Sequence, residues 1–109
     1  MIKPIGPEMA RLIQELWEGN QVQVQDRLQL LDRAAAANRR GELGAELRGQ
    51  AREIAHKLAG SLGMFGFPRG SEIARRLEML LESERADSEL MAELTVQLRG
   101  SLTDPVQLS

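Results

Sequence analysis

Apolar residues recur along this chain at intervals of three and four, never in sustained alternation, and five stretches carry the pattern. The first holds Met9, Leu12, Ile13 and Leu16. It opens on Pro7 and Glu8, suited to a first helical turn, and stops at Trp17, Glu18 and Gly19, which predicts a short helix. Asn20 is a candidate cap for a second helix, in which Val24, Leu28, Leu31 and Ala35 repeat until Arg39 and Arg40 precede Gly41. A third runs from about Glu42 to Phe65 or Gly66. Its Leu43, Leu47, Ala51, Ile54, Leu58, Leu62 and Phe65 occupy roughly one third of the circumference at about 100° per residue, and that sector must face a core.

A hydrophobic residue before a first-turn proline, Phe67-Pro68, opens the fourth helix, lined by Ile73, Ala74, Leu77, Leu80 and Leu81, so the preceding turn is very tight. Asp87 caps the fifth, which carries Leu90, Met91, Leu94 and Leu98 and meets Gly100 where a C-terminal glycine belongs. Residues 101–109 read as a flexible tail. Four Val, five Ile and two Thr without period-two alternation leave little material for a sheet. The expectation is an all-α fold: an up-down-up-down four-helix bundle with a short additional N-terminal helix across one end. At 109 residues the chain is read as a single domain, its core spanning about residues 8–100.

Against this background one residue stands out. His56 is the sole histidine, and on the helical wheel it lies opposite the apolar sector of its helix. Its neighbours on that side are Gly49, Arg52, Ala59, Gly60 and Gly63, which, Arg52 apart, project almost nothing beyond the backbone. Each interior glycine costs up to about 1 kcal/mol relative to alanine, so their clustering on one face asks for a reason, and the usual one is the close approach of another protein. Lys57 and Arg52 bring positive charge beside the ring. Ser61 falls near the core-facing sector, where a back-bond to a carbonyl of its own helix is expected.

Composition removes most alternatives. Without cysteine there is no disulfide scaffold or thiolate metal site, and one histidine leaves no imidazole cluster, so no metal site or bound cofactor is expected in this chain. A formal charge of −2 and an aromatic content of 3% argue against nucleic acid as a ligand. No apolar run is long enough to span a bilayer, and the first residues lack a signal-peptide core, so a cytoplasmic protein without membrane attachment is expected. No nucleophile elbow, GxxxxGK[ST] or GxGxxG occurs, and His56 is predicted to face outward, away from any metal or haem site inside a bundle. What remains within reach is imidazole as a nucleophile, whose neutral ring nitrogen can accept a phosphoryl group near neutral pH. Phosphoryl transfer asks chiefly for in-line positioning and charge neutralisation, and Lys57 and Arg52 are candidates to stabilise the phosphorylated state.

The run His56-Lys57-Leu58-Ala59-Gly60-Ser61, followed by Gly66, resembles the signature H-x-[LI]-[KA]-G-[SA] of histidine phosphotransfer (HPt) domains. The likeness extends from about residue 8 to 100, with its specificity in residues 55 to 67 and in Ala74, Leu77 and Glu78. It implies that His56 is the phosphoacceptor and that Gly60, with Gly63, Ala59 and Gly49 around it, lets a partner dock. The implied partners are a response-regulator receiver domain and a histidine kinase, with Mg²⁺ held by the receiver. The implied role is a monomeric phosphocarrier without autokinase activity in two-component signalling. One departure matters: many members carry lysine three residues after the histidine, where this chain has Ala59. Lys57, about 100° around the helix, flanks the ring without replacing that lysine, which leaves Arg52 as the candidate for the missing charge. The alternative reading is an inactive helical adaptor, or a bundle that dimerises through the glycine face.

Overall fold

The computed structural model describes residues 6–83 and 86–102, so the expected flexible tail lies, from residue 103 onward, outside the described residues. Four helices and no strands are found among them: α1 (Pro7–Arg39), α2 (Ala45–Met64), α3 (Pro68–Glu82) and α4 (Ser88–Ser101). α1 packs on α2 and α4, and α3 packs on α2 and α4, so the helices close a ring without diagonal contacts. Connections this short make successive helices antiparallel. The all-α bundle expected from the periodicity is the fold observed. No described helix is long and apolar enough to cross a membrane.

The separate short N-terminal helix is not observed. Gly19 and Asn20 lie in the interior of one 33-residue helix, and Asn20 caps nothing: its Nδ2 donates to the Leu16 carbonyl one turn back, at 2.7 Å. The reason is phase. Leu12, Leu16, Asn20, Val24 and Leu28 follow one another at intervals of four, so the row continues through the polar residue, and one interior glycine costs only about 1 kcal/mol. At 1.5 Å per residue α1 is about 50 Å long against about 30 Å for the 20 residues of α2. Its first turns overhang the bundle, leaving Met9, Leu12 and Leu16 exposed.

The stops after α1 and α2 are built alike. Gly41 (φ 71°) and Gly66 (φ 91°) take the left-handed conformation after α1 and α2. After α2, the Phe67 amide donates to the Leu62 carbonyl at 2.8 Å and the Gly66 amide to Gly63 at 3.3 Å; after α1, Glu42 reaches Ala37 and Gly41 reaches Asn38 in the same way. These are Schellman motifs. α2 consequently starts at Ala45, three residues later than expected, while Leu43 packs beside the core from the connection. Asp87 caps α4 as expected, accepting from the Glu89 and Leu90 amides. Gly100 does not end that helix; it lies in the last turn, before the cap at Leu102, and Leu90 is exposed beside the stripe it was assigned to.

The core is built from Val24, Leu28 and Leu31 of α1, Ala51, Ala55, Leu58 and Leu62 of α2, Ile73, Leu77 and Leu81 of α3, and Met91, Leu94 and Leu98 of α4. At one end Trp17 tilts over Phe67 and Phe65, with ring centroids 4.5 and 5.6 Å apart. This cluster fastens α1 to the α2–α3 turn. Phe67 is only 2% exposed and also supplies the last amide of the Schellman motif. Its truncation to alanine is expected to cost about 3–5 kcal/mol, read as a lowered urea midpoint. A loss below about 1 kcal/mol would mean that the aromatic end contributes little to holding the bundle.

Candidate functional site

α2 and α3 are the most closely packed pair, and their antiparallel register brings the site together. Arg52 pairs with Glu82 at 3.8 Å, His56 with Glu78 at 2.8 Å, and the Ser71 hydroxyl donates to the Ala59 carbonyl, so numbers rise on α2 as they fall on α3. The side of α2 opposite its core residues is the side His56 occupies. Its side chain is 72% exposed, as the wheel predicted, and projects beside a shallow concavity of about 300 Å³ lined by Gly49, Arg52, Glu53, His56 and Glu78.

The ring is exposed but not free. Nδ1 lies 2.8 Å from Glu78 Oε2, and a carboxylate can only accept, so Nδ1 carries the proton and donates. In the neutral ring this fixes the tautomer whose Nε2 lone pair points away from Glu78. Glu78 is itself only 20% exposed at its side chain, held on the flank of α3 next to the core residue Leu77. Sequence reasoning quoted Glu78 as part of a pattern and gave it no role. The available signal was its position one residue after a stripe leucine, at the edge of the face that α3 turns toward α2.

The flanking cations are present, each already engaged. Arg52 faces Glu82, and Lys57 pairs with Glu53 one turn back on its own helix at 3.6 Å. All four side chains are at least half exposed, so these pairs are worth about 0–1 kcal/mol and exchange partners readily.

Gly49 and Gly60 have nothing within 4 Å of where a Cβ would stand, which is open space beside the histidine. Gly63 is exposed, yet its missing Cβ would meet the Ser71 hydroxyl at 3.5 Å, so it borders α3 more than an open surface. Ala59 is not on the open face. It is 7% exposed and belongs to the core cluster, because Ser71 bonds its carbonyl and draws α3 over it. The predicted back-bond of Ser61 is absent as well: its buried hydroxyl oxygen has no hydrogen-bond partner. Among the described residues, no cluster of three or more His, Asp or Glu side chains is arranged to hold a metal ion.

What this arrangement offers chemically is a nucleophilic nitrogen, presented to solvent with its tautomer fixed, on a rigid helix with bare surface one turn to its C-terminal side. Residues 9–104 match the family model described as Hpt domain. A relative, Protein RcaC of Microchaete diplosiphon, is 35% identical over 69 residues, which is 63% of this chain and 11% of that protein. This chain therefore matches only a small part of that relative's length. No solved structure matches it. With a family model covering nearly the whole described bundle, the chain belongs to the Hpt domain family, the phosphocarrier modules of histidine phosphotransfer in two-component phosphorelays.

Proposed function

We propose that His56 is the phosphoryl acceptor of this chain and that it exchanges the group with the aspartate of a response-regulator receiver domain, or takes it from a histidine kinase. The observation that carries this reading is the anchored, exposed ring: 72% accessible at the side chain, with Nδ1 held by Glu78. In the transfer, the Nε2 lone pair attacks phosphorus, the N–P bond forms as the P–O bond to the aspartyl oxygen breaks, and the electron pair leaves with that carboxylate. The chain contributes orientation and access; Mg²⁺ is supplied by the receiver. Arg52 and Lys57 can each trade an exposed carboxylate for a phosphoryl oxygen at small cost. Gly60 and Gly49 leave room for the docking partner, with Gly63 at the edge of that surface.

On this reading the chain is a cytoplasmic monomer without autokinase activity. The test is incubation with a phosphorylated receiver and Mg²⁺. Acid-labile, base-stable phosphate is expected on the chain, located by peptide mapping at His56. Label on another residue, or none, overturns the assignment.

A further inference from the structure

The concavity beside His56 has an uneven charge balance. Its cation, Arg52, is matched by Glu82, and its carboxylate Glu53 is matched by Lys57, so the remaining charged group, Glu78, has the imidazole as its partner. The other lining residue is Gly49, and neither α1 nor α4 contributes to the lining. A neutral acceptor at this position would orient the ring equally well. A carboxylate does something more, because it distinguishes a charged ring from a neutral one.

We propose that Glu78 acts on the phosphorylated ring: its carboxylate retains the Nδ1 proton of phospho-His56 and so keeps the phosphorylated chain in its transfer-competent form. This rests on His56 being the acceptor. When Nε2 bonds to phosphorus and Nδ1 keeps its proton, the ring becomes an imidazolium, which a carboxylate 2.8 Å away stabilises directly. In the return step an aspartate oxygen attacks phosphorus, the N–P bond breaks, and its electron pair goes back to Nε2. With the Nδ1 proton still in place, the departing group is neutral imidazole. Without it, the departing group would be an imidazolide anion, a far worse leaving group. No proton need enter or leave during either step. Glu78 is thus a positioning residue for the free ring and an electrostatic one for the phosphorylated ring.

The experiment loads the intact chain with phosphoramidate, a small donor that needs no docking partner, and follows the phosphohistidine ³¹P signal across the neutral and alkaline range. Glu78→Gln keeps a hydrogen-bond acceptor and removes the charge; Glu72→Gln, on α3 but outside the concavity, removes the same charge elsewhere. In Glu78→Gln the midpoint of the phosphorylated ring's titration is expected to fall by about one pH unit. Transfer to a receiver above that midpoint is expected to fall about tenfold, while Glu72→Gln titrates with the wild type. Coincident titrations for wild type and Glu78→Gln, or an equal shift in Glu72→Gln, overturn the proposal. Failure of the wild type to form phosphohistidine at His56 instead overturns the acceptor assignment itself, and this proposal with it.

Discussion

Replacing His56 by glutamine is expected to remove every trace of receiver-derived label while leaving the bundle as stable as before. The two halves of that outcome have separate causes. The ring lies outside the core, 72% exposed at the side chain, so its removal leaves no cavity, and surface changes of this kind stay within about 0.5 kcal/mol. Glutamine can also donate an amide N–H to Glu78, so the half-buried carboxylate keeps a partner. What glutamine lacks is a nitrogen lone pair able to attack phosphorus, because the amide pair is delocalised into its carbonyl. The measurement is receiver-dependent labelling beside a urea melt of both proteins. Undiminished label in the variant would move the chemistry off His56, and a collapsed melt would mean that the ring has a structural role the geometry does not suggest.

The fold was legible in the sequence because its strongest signals were local. Gly41, Gly66, Pro68 and Asp87 end or begin helices through backbone chemistry that acts within a few residues, and all four act as read. The break expected at Gly19 and Asn20 failed for the same kind of reason read with too much weight. A glycine and a good capping residue are permissive of a helix end, and the apolar row running through them outweighs a penalty of about 1 kcal/mol. Exposure of His56 was legible from the wheel, since a single helix determines which side opposes its core.

What crossed between helices was not legible. Ala59 is buried because Ser71, twelve residues on, bonds its carbonyl, and no periodicity within α2 reports a neighbour's hydroxyl. Glu78 meets Nδ1 because α2 and α3 are joined by a three-residue turn that fixes their register. The composition of each helix was readable; the offset between them had to be seen. Arg52 lines the concavity beside the ring, and both Arg52 and Lys57 have a carboxylate of their own, which a reading of charge on the wheel did not include.

Gly60→Leu is expected to slow receiver-dependent transfer by about 100-fold, the consequence of losing close to 3 kcal/mol of docking energy at a central contact. Stability points the other way. A Cβ at Gly60 meets nothing within 4 Å, so alanine there should raise stability by about 0.5–1 kcal/mol, and leucine, nearly as good a helix former, should fold as well. The chain forgoes that gain one turn from its histidine, in the interior of a helix that belongs to the most closely packed pair. Nothing among the described residues requires a glycine at this point, and under the proposed function a visitor's approach is the reason. Phosphoramidate labelling separates the two effects, because a small donor reaches Nε2 past a leucine while a docked protein is held off by it. The expected pattern is labelling by phosphoramidate at the wild-type rate, a melting temperature at or above wild type, and transfer from the receiver reduced by two orders of magnitude. Transfer at the wild-type rate would show that the partner docks on some other face and that the open surface beside His56 has another cause.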